Sequence, residues 1–370
     1  MQYLDDYRNK DRIQTLVRAI QRETLHPWNI MEICGGQTHS IARNRIEEML
    51  PSAIRLLHGP GCPVCVTPEE IIDRAITIAK KPGVIFTSFG DMIRVPGSRS
   101  DLLQAKAQGA DVRILYSPLD AVELAGVNPE KEIVFFAVGF ETTIPVHLMA
   151  LKEAIRRGLK NFSLFCSFFA VPPAIEMILS QPDNRIDGFL TAGHVCAISG
   201  YKAYHRLAAD YRKPMIVTGF EPADILYGIY KCILQLEKGE AKVENAYKRA
   251  VQEAGNKEAI RLMETFLEPG GREWRGIGYF PAGGFSLREE YAGFDAAIKF
   301  PISENISLQA KNEKEKKDIG CIAGEIMKGN RQPGDCINFG SICNPAHPLG
   351  APMVSEEGVC AAYYTYQTVM

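Results

Sequence analysis

The chain has 370 residues, of which 46% are hydrophobic and 23% are charged, and its net charge at pH 7 is −2. This length predicts two or three domains rather than a single core. The small net charge gives no electrostatic basis for binding nucleic acid or an anionic membrane surface, so we expect neither as a partner.

The first residues, Met1–Arg8, are charged and contain no apolar signal region. No apolar run approaches the roughly 20 residues that a membrane span needs. We therefore expect a cytoplasmic protein. Cysteines in that compartment are more often catalytic or metal-binding than joined in structural disulfides.

Strand and helix patterns alternate along most of the chain after a first helical pattern at residues 10–24. The predicted strands are Asn29–Ile33, Ala53–Leu57, Val84–Thr87, Val112–Tyr116, Glu132–Val138, Phe162–Ser167, Gly188–Thr191 and Pro214–Thr218. Short apolar strands separated by helices are typical of parallel sheets with both faces covered. The expected fold class is therefore α/β, with two parallel-sheet, Rossmann-like domains.

The segment after the second strand predicts a helix start. Thr67 suits the N-cap, Pro68 suits the first helical position, and Glu70 would complete a capping box. Further on, residues 221–268 show helical spacing throughout, and Gly270-Gly271 would end that helical region. We place domain boundaries near residues 120 and 235, which gives domains 1–120, 121–235 and 236–370. The last is expected to be helical or irregular and to hold an iron–sulfur cluster.

Seven of the ten cysteines form two groups, and the first group includes Cys62-Pro63-Val64-Cys65. This pair lies just before the predicted helix start, where free amide groups and the helix dipole stabilise a thiolate. A redox-active dithiol is one interpretation, and half of a structural zinc site is the other. The zinc site would need a second close cysteine pair, which the sequence lacks.

Cys34 also follows a predicted strand, and it precedes Gly35-Gly36 and His39. The glycines allow a close backbone approach, and His39 could hold a proton or bind a metal. The alternative is a buried thiol beside a tight turn. Ligands of open parallel sheets gather at the carboxyl ends of strands, and Cys62 also follows one. We therefore predict that Cys34, His39, Cys62 and Cys65 belong to one site.

The second group consists of Cys321, Cys336, Cys343 and Cys360, in a tail rich in glycine and proline. Four thiolates suit either a 4Fe–4S cluster or an all-cysteine zinc site. The tight cysteine pairs of zinc ribbons are absent, which favours the cluster. Glu141 and His194, each after a predicted strand, could carry protons, although a helix cap and a core histidine are equally good interpretations.

Four segments together resemble the HypD family of nickel–iron hydrogenase maturation factors. The shared motifs are Cys-Gly-Gly-x-Thr-His at residues 34–39, His-Gly-Pro-Gly-Cys-Pro-Val-Cys at 58–65, Gly-Phe-Glu-Thr-Thr at 139–143, and the C-terminal stretch 354–364. The likeness runs from about residue 30 to the C-terminus, and the octapeptide 58–65 is the most specific of the four.

The resemblance implies a scaffold for a transient iron centre that carries two cyanides and one carbon monoxide, Fe(CN)2CO. In that family a small partner, HypC, binds the same iron through its N-terminal cysteine, and HypE supplies cyanide. Carried over, Cys34 would bind the iron, Cys62 and Cys65 would be the redox dithiol, and the four tail cysteines would hold the 4Fe–4S cluster. Relatives often have Cys-x-Cys-Gly where this chain has Cys321-Ile322-Ala323-Gly324, so only Cys321 is available there.

The resemblance implies an assembly scaffold with redox activity, and leaves open whether it turns over as an enzyme. The alternative is an iron–sulfur-dependent thiol–disulfide oxidoreductase, which would not require the Cys34 motif. A third class, a zinc-stabilised structural protein, is disfavoured by the spacing of the tail cysteines.

Overall fold

The structure is a computed structural model that describes residues 6–301 and 320–367. Its strands are β1 (Trp28–Glu32), β2 (Ile54–His58), β3 (Val84–Ser88), β4 (Val112–Ile114), β5 (Glu132–Gly139), β6 (Phe162–Phe169), β7 (Gly188–Ala192), β8 (Met215–Thr218), β9 (Val243–Asn245), β10 (Leu267–Trp274) and β11 (Gly278–Leu287).

The α-helices within the described residues cover both sheets and connect their strands. They are α1 (Lys10–Glu23), α2 (Gly35–Arg43), α3 (Ile46–Met49), α4 (Pro63–Val66), α5 (Glu69–Ala79), α6 (Leu102–Ala107), α7 (Pro118–Val127), α8 (Ile144–Arg156), α9 (Val171–Ser180), α10 (Gly193–Ser199), α11 (Lys202–Tyr211), α12 (Pro222–Glu237), α13 (Lys257–Phe266), α14 (Ala296–Lys299), α15 (Ala323–Met327) and α16 (Val359–Gln367). Short 3₁₀ helices lie at Gly90–Arg94, Glu289–Phe294, Pro333–Asp335 and Ala351–Met353.

The strands form two sheets. The first has the order β2-β1-β7-β8-β9, and every neighbouring pair in it is parallel. The second has the order β10-β11-β6-β5-β3-β4, with parallel pairing from β6 to β4 and antiparallel pairing where β11 joins β6 and β10. This arrangement confirms the predicted α/β class with parallel sheets.

All eight strands predicted between residues 29 and 218 are present, with ends that differ by one or two residues. Their side chains are almost all buried: every residue of β3, β7 and β8 is buried, as are the last seven of β5. Helices on both faces explain why these strands are continuous apolar runs rather than alternating ones.

The predicted all-helical region at residues 221–268 is wrong in its middle. Helix α12 ends at Glu237, strand β9 follows, and α13 begins only at Lys257. Gly270 and Gly271 do not end a helix. They lie in β10, at a register shift of the β10–β11 hairpin. Most residues of β10 are exposed or half-buried, so the hairpin lacks the apolar run that predicted the other strands.

The two sheets are each assembled from separate parts of the chain. Strands β1 and β2 lie in the first sheet while β3 and β4 lie in the second, although all four precede residue 120. The segments 121–235 and 236–370 also contribute strands to both sheets. Sheet membership therefore does not follow the predicted boundaries near residues 120 and 235.

The cysteine-rich C-terminal segment packs beside β1 and β2. Gln332 donates a hydrogen bond from Nε2 to the carbonyl of Leu56 at 3.0 Å. The Tyr363 hydroxyl contacts Nε2 of His58 and donates to Glu47 at 2.7 Å. The tail is thus held against the strands that lead to Cys34 and Cys62. Among the helices in the described ranges, none is long and apolar enough to cross a membrane.

Candidate metal and thiol site

The candidate site lies at the carboxyl ends of four adjacent parallel strands. In the order β2, β1, β7 and β8, these strands are followed by Cys62, Cys34, His194 and Phe220. Neighbouring parallel strands end at the same edge of a sheet, so side chains far apart in sequence meet there. The structure therefore brings Cys34 to the dithiol loop, as the sequence predicted, and adds His194.

Cys34 is fully buried at the start of α2. Its Sγ atom lies 3.5 Å from Nδ1 of His194. Burial raises the pKa of the Cys34 thiol well above its usual value, and the nearby Glu32 and Glu357 raise it further. Burial also lowers the pKa of His194 to about 4. Burial therefore favours the uncharged form of both groups.

Two glycines make the close contacts around Cys34 possible. A Cβ atom on Gly61 would lie 2.3 Å from the Cα of Cys34, and one on Gly35 would lie 2.4 Å from the carbonyl oxygen of Glu357. The Gly35 amide also donates to the carbonyl of Gly61 at 3.0 Å. Because Gly61 precedes Cys62, the backbones of the Cys34 turn and the dithiol loop are in direct contact.

Cys62 and Cys65 form a disulfide, with their Cα atoms 5.2 Å apart. Cys62 is the N-cap of the short helix α4, and its sulfur accepts a hydrogen bond from the Cys65 amide at 3.2 Å. The predicted start of the next helix is wrong. Thr67 ends α4 and its hydroxyl donates back to Pro63 at 2.8 Å, while Pro68 is the N-cap of α5 without a side-chain capping bond.

A buried carboxylate, Glu32, organises the strand ends and was missed by the sequence analysis. It accepts hydrogen bonds from the Cys34 amide at 2.8 Å, from the Thr38 hydroxyl, and from Nδ1 of His58 at 2.8 Å. The sequence could have indicated this role, because Glu32 is an acidic residue near the end of an apolar strand and two residues before Cys34. Glu32 fixes the orientation of the Cys34 turn relative to β2.

His39 does not face Cys34. Its Nδ1 lies 3.3 Å from the carbonyl oxygen of Glu356, and its Nε2 lies 3.2 Å from the hydroxyl of Tyr366. His39 therefore joins α2 to the C-terminal segment, while the histidine beside the Cys34 sulfur is His194.

Glu141 lies after β5, a strand of the other sheet. Its Oε1 accepts a hydrogen bond from the Val171 amide at 3.0 Å, and its Oε2 has no partner among the described residues. Burial raises the pKa of this carboxyl to about 7. Such a group can hold or release a proton near neutral pH.

The four tail cysteines lie on the C-terminal segment, which packs beside the strands β1 and β2 that precede Cys34 and Cys62. Burial raises the pKa of the Cys360 thiol, and Cys321, Cys343 and Cys336 raise it further. The four sulfurs are thus near enough to influence one another. Within residues 6–301 and 320–367, however, no three His, Cys, Asp or Glu side chains converge as the ligands of one metal ion would. Four neighbouring thiols have the ligand number of either a 4Fe–4S cluster or an all-cysteine zinc site.

A small cleft lies between the dithiol loop and the C-terminal segment. Cys62 and Cys65 line one side, and Glu357 and Val359, the residue before Cys360, line the other. The dithiol loop therefore faces the segment that carries Cys360.

The chain is similar to known proteins over its whole length. The family profile described as "HypD: Hydrogenase formation hypA family" matches residues 11–367. The hydrogenase maturation factor HypD of Rhodobacter capsulatus is 46% identical, with 92% of this chain and 89% of that protein aligned. Those of Rhizobium leguminosarum bv. viciae and Escherichia coli (strain K12) are 43% and 42% identical, with 99% of this chain and 96% and 98% of those proteins aligned. On the family match and these identities, the chain belongs to the HypD family of hydrogenase maturation factors.

Proposed function

We propose that this maturation factor is the scaffold on which the Fe(CN)2CO centre of nickel–iron hydrogenase is assembled. The observation that supports this best is the setting of Cys34, whose sulfur lies 3.5 Å from His194 and whose backbone contacts the loop of the Cys62–Cys65 disulfide. Thiolate is a good ligand for iron. In this proposal a metal site and a redox pair are adjacent.

Binding of iron to Cys34 requires loss of the thiol proton, because the metal ligand is the thiolate. The imidazole of His194 is the nearest group that can relay this proton, and because burial lowers its pKa to about 4 it would pass the proton on rather than hold it. Cys34 is fully buried, so Phe220, which packs on His194, or the segment around Glu357 must move for the iron to enter. In this proposal a small HypC-type partner delivers the second cysteine ligand, and a HypE-type protein donates cyanide.

The dithiol provides two electrons per cycle. Reduction of the Cys62–Cys65 disulfide takes up two electrons and two protons and gives two thiols, and in this proposal reoxidation passes the two electrons to the reaction that attaches cyanide and carbon monoxide to iron at Cys34. The tail cysteines Cys321, Cys336, Cys343 and Cys360 would hold the 4Fe–4S cluster, which when bound supplies electrons one at a time. We place this chemistry in the cytoplasm, where thiols are kept reduced.

The disulfide itself favours a second candidate, an iron–sulfur-dependent thiol–disulfide oxidoreductase. In that function the dithiol would be the substrate-reducing group, and the pairing of Cys34 with His194 would have no role. The two candidates differ in whether Cys34 is needed and in whether iron-bound diatomic ligands form.

Infrared spectra of the protein co-expressed anaerobically with its small HypC-type partner test the proposal. The wild-type complex should show bands of iron-bound cyanide and carbon monoxide, and Cys34→Ser should abolish them while the visible absorption of the cluster persists. Cys232→Ala is a matched control, because that buried thiol lies against Gly188 at the opposite end of β7. Cys34→Ala protein with wild-type bands would refute the scaffold assignment.

A further inference from the structure

A cavity lined by residues other than Cys34 has a volume of about 760 Å³. Helix α5, strand β6, the β10–β11 hairpin and the start of α14 enclose it. This volume falls within the range of small-molecule sites, roughly 300–1,000 Å³.

Two guanidinium groups on the cavity wall form no ion pair with a described residue, although both are near enough to the carboxyl of Asp295 to offset part of the rise that burial causes in its pKa. Arg74 forms no hydrogen bond or ion pair with any described residue, and its guanidinium lies 5.8 Å from the ring centroid of Phe165. Arg272 donates only to uncharged oxygens, at 2.9 Å to both the Gly271 carbonyl and the Ser286 hydroxyl, and to the Phe285 carbonyl. Burial disfavours the charged form of Arg272, since it lowers the pKa of this group. A buried cation of this kind favours an anionic partner.

The acidic residues of the cavity limit the charge of that partner. Glu69 is paired with Arg275 at 2.9 Å, and Asp295 accepts a hydrogen bond from the Ala297 amide at 2.8 Å as the N-cap of α14. Glu70 and Glu273 also line the cavity. Four carboxyl groups beside three guanidinium groups would repel a multiply charged anion, and a single carboxylate would have to compete with Asp295 for Arg74 and Arg272.

The remaining surface is apolar and aromatic. Phe165 and Phe169 line the cavity together with the half-buried thiol of Cys166. A planar guanidinium over an aromatic ring is well placed to bind a carboxylate while the ring contacts the rest of the ligand.

We propose that this cavity binds a small monocarboxylate, with its carboxylate between Arg74 and Arg272 and its apolar body against Phe165 and Phe169. The ligand site is separate from the assembly site and does not depend on the function proposed above. It does lie next to the dithiol loop, because the Arg275 amide donates to the carbonyl of Val66 at 2.8 Å.

Calorimetric titration of the purified full chain with benzoate, benzamide and inorganic phosphate tests the proposal. Benzoate and benzamide share a shape, so the difference between them isolates the carboxylate charge. We expect benzoate to bind at least tenfold more tightly than benzamide, because an Arg–carboxylate pair is charge-assisted. We also expect phosphate to bind more weakly than benzoate. Equal binding of benzoate and benzamide, no binding of benzoate, or tighter binding of phosphate would each overturn the assignment.

Two variants locate the site. Arg74→Gln removes a charge that forms no hydrogen bond or ion pair with a described residue, so it should fold normally and weaken benzoate binding about tenfold or more. Arg113→Gln is the matched control, because Arg113 is an exposed arginine paired with Asp111 outside the cavity. Benzoate should also slow alkylation of Cys166 in the wild type but not in Arg74→Gln. Unchanged affinity in Arg74→Gln, or no protection of Cys166, would contradict the proposed binding mode.

Discussion

The sulfur of Cys34 lies 3.5 Å from Nδ1 of His194, and the surrounding burial favours the uncharged form of both groups. A buried, protonated thiol reacts slowly with alkylating reagents. Loss of its proton, on binding a metal or after a conformational change, would make it reactive. Two residues 160 positions apart in sequence therefore form a pair that is held inactive in the described state.

This pairing predicts slow alkylation of Cys34. The thiolate is the reactive form, and its fraction falls tenfold for each unit that the pKa rises above the pH. In metal-free, folded protein at pH 8, iodoacetamide should modify Cys34 at least tenfold more slowly than in urea-unfolded protein. Mass spectrometry of the Cys34 peptide gives both rates. Equal rates would show that the thiol is not buried and that its pKa is not raised.

The contact between Gly61 and Cys34 predicts that Gly61→Ala is disruptive. The added Cβ would meet the Cys34 backbone at 2.3 Å, so the dithiol loop must move away from α2. We expect a loss of about 1–3 kcal/mol in the free energy of unfolding. Urea denaturation measures it.

Gly126→Ala is the control for that substitution. Gly126 lies in α7, and a methyl group added there would meet no neighbouring atom within 4 Å, so alanine should be neutral or stabilise by up to ~1 kcal/mol. Similar unfolding curves for the two variants would mean that the loop accommodates a side chain at residue 61.

The buried Glu141 predicts a pH dependence of stability. Its folded pKa of about 7 exceeds its unfolded value of 4.5, so the folded state binds more protons between these values. Stability should therefore fall as pH rises from about 4.5 to 7, by up to ~3 kcal/mol from this group. Glu141→Gln should remove that decrease and be more stable than the wild type at pH 8. If the free energies of unfolding of the two proteins changed in parallel from pH 5 to 8, the pKa of the Glu141 carboxyl would not be raised by burial.

The four tail cysteines predict a cluster that does not depend on Cys34. Replacing Cys336 or Cys343 by alanine in anaerobically prepared protein should remove the visible absorption and about four irons per chain. Cys34→Ser should retain both, since Cys34 lies on a different segment. Iron analysis and absorption spectra check this, and wild-type protein that contains zinc but no iron would exclude the cluster.

Much of the α/β framework could be predicted from local sequence. The strands from Asn29 to Thr218 are short apolar runs between helical stretches, and burial on both faces makes such runs easy to recognise. The β10–β11 hairpin could not be predicted in this way, because its pairing partner is β6, about 100 residues earlier, and its outer residues are exposed.

The sequence by itself determined that Cys34 and Cys62 each follow a strand, that Cys62 and Cys65 are close enough to pair, and that four cysteines lie together near the end of the chain. Only the tertiary structure decided which groups surround the Cys34 sulfur. The order β2-β1-β7-β8 places His194 beside it and directs His39 towards Tyr366 instead. Strand order depends on long-range packing of sheet and helix faces, which no local spacing of residues records.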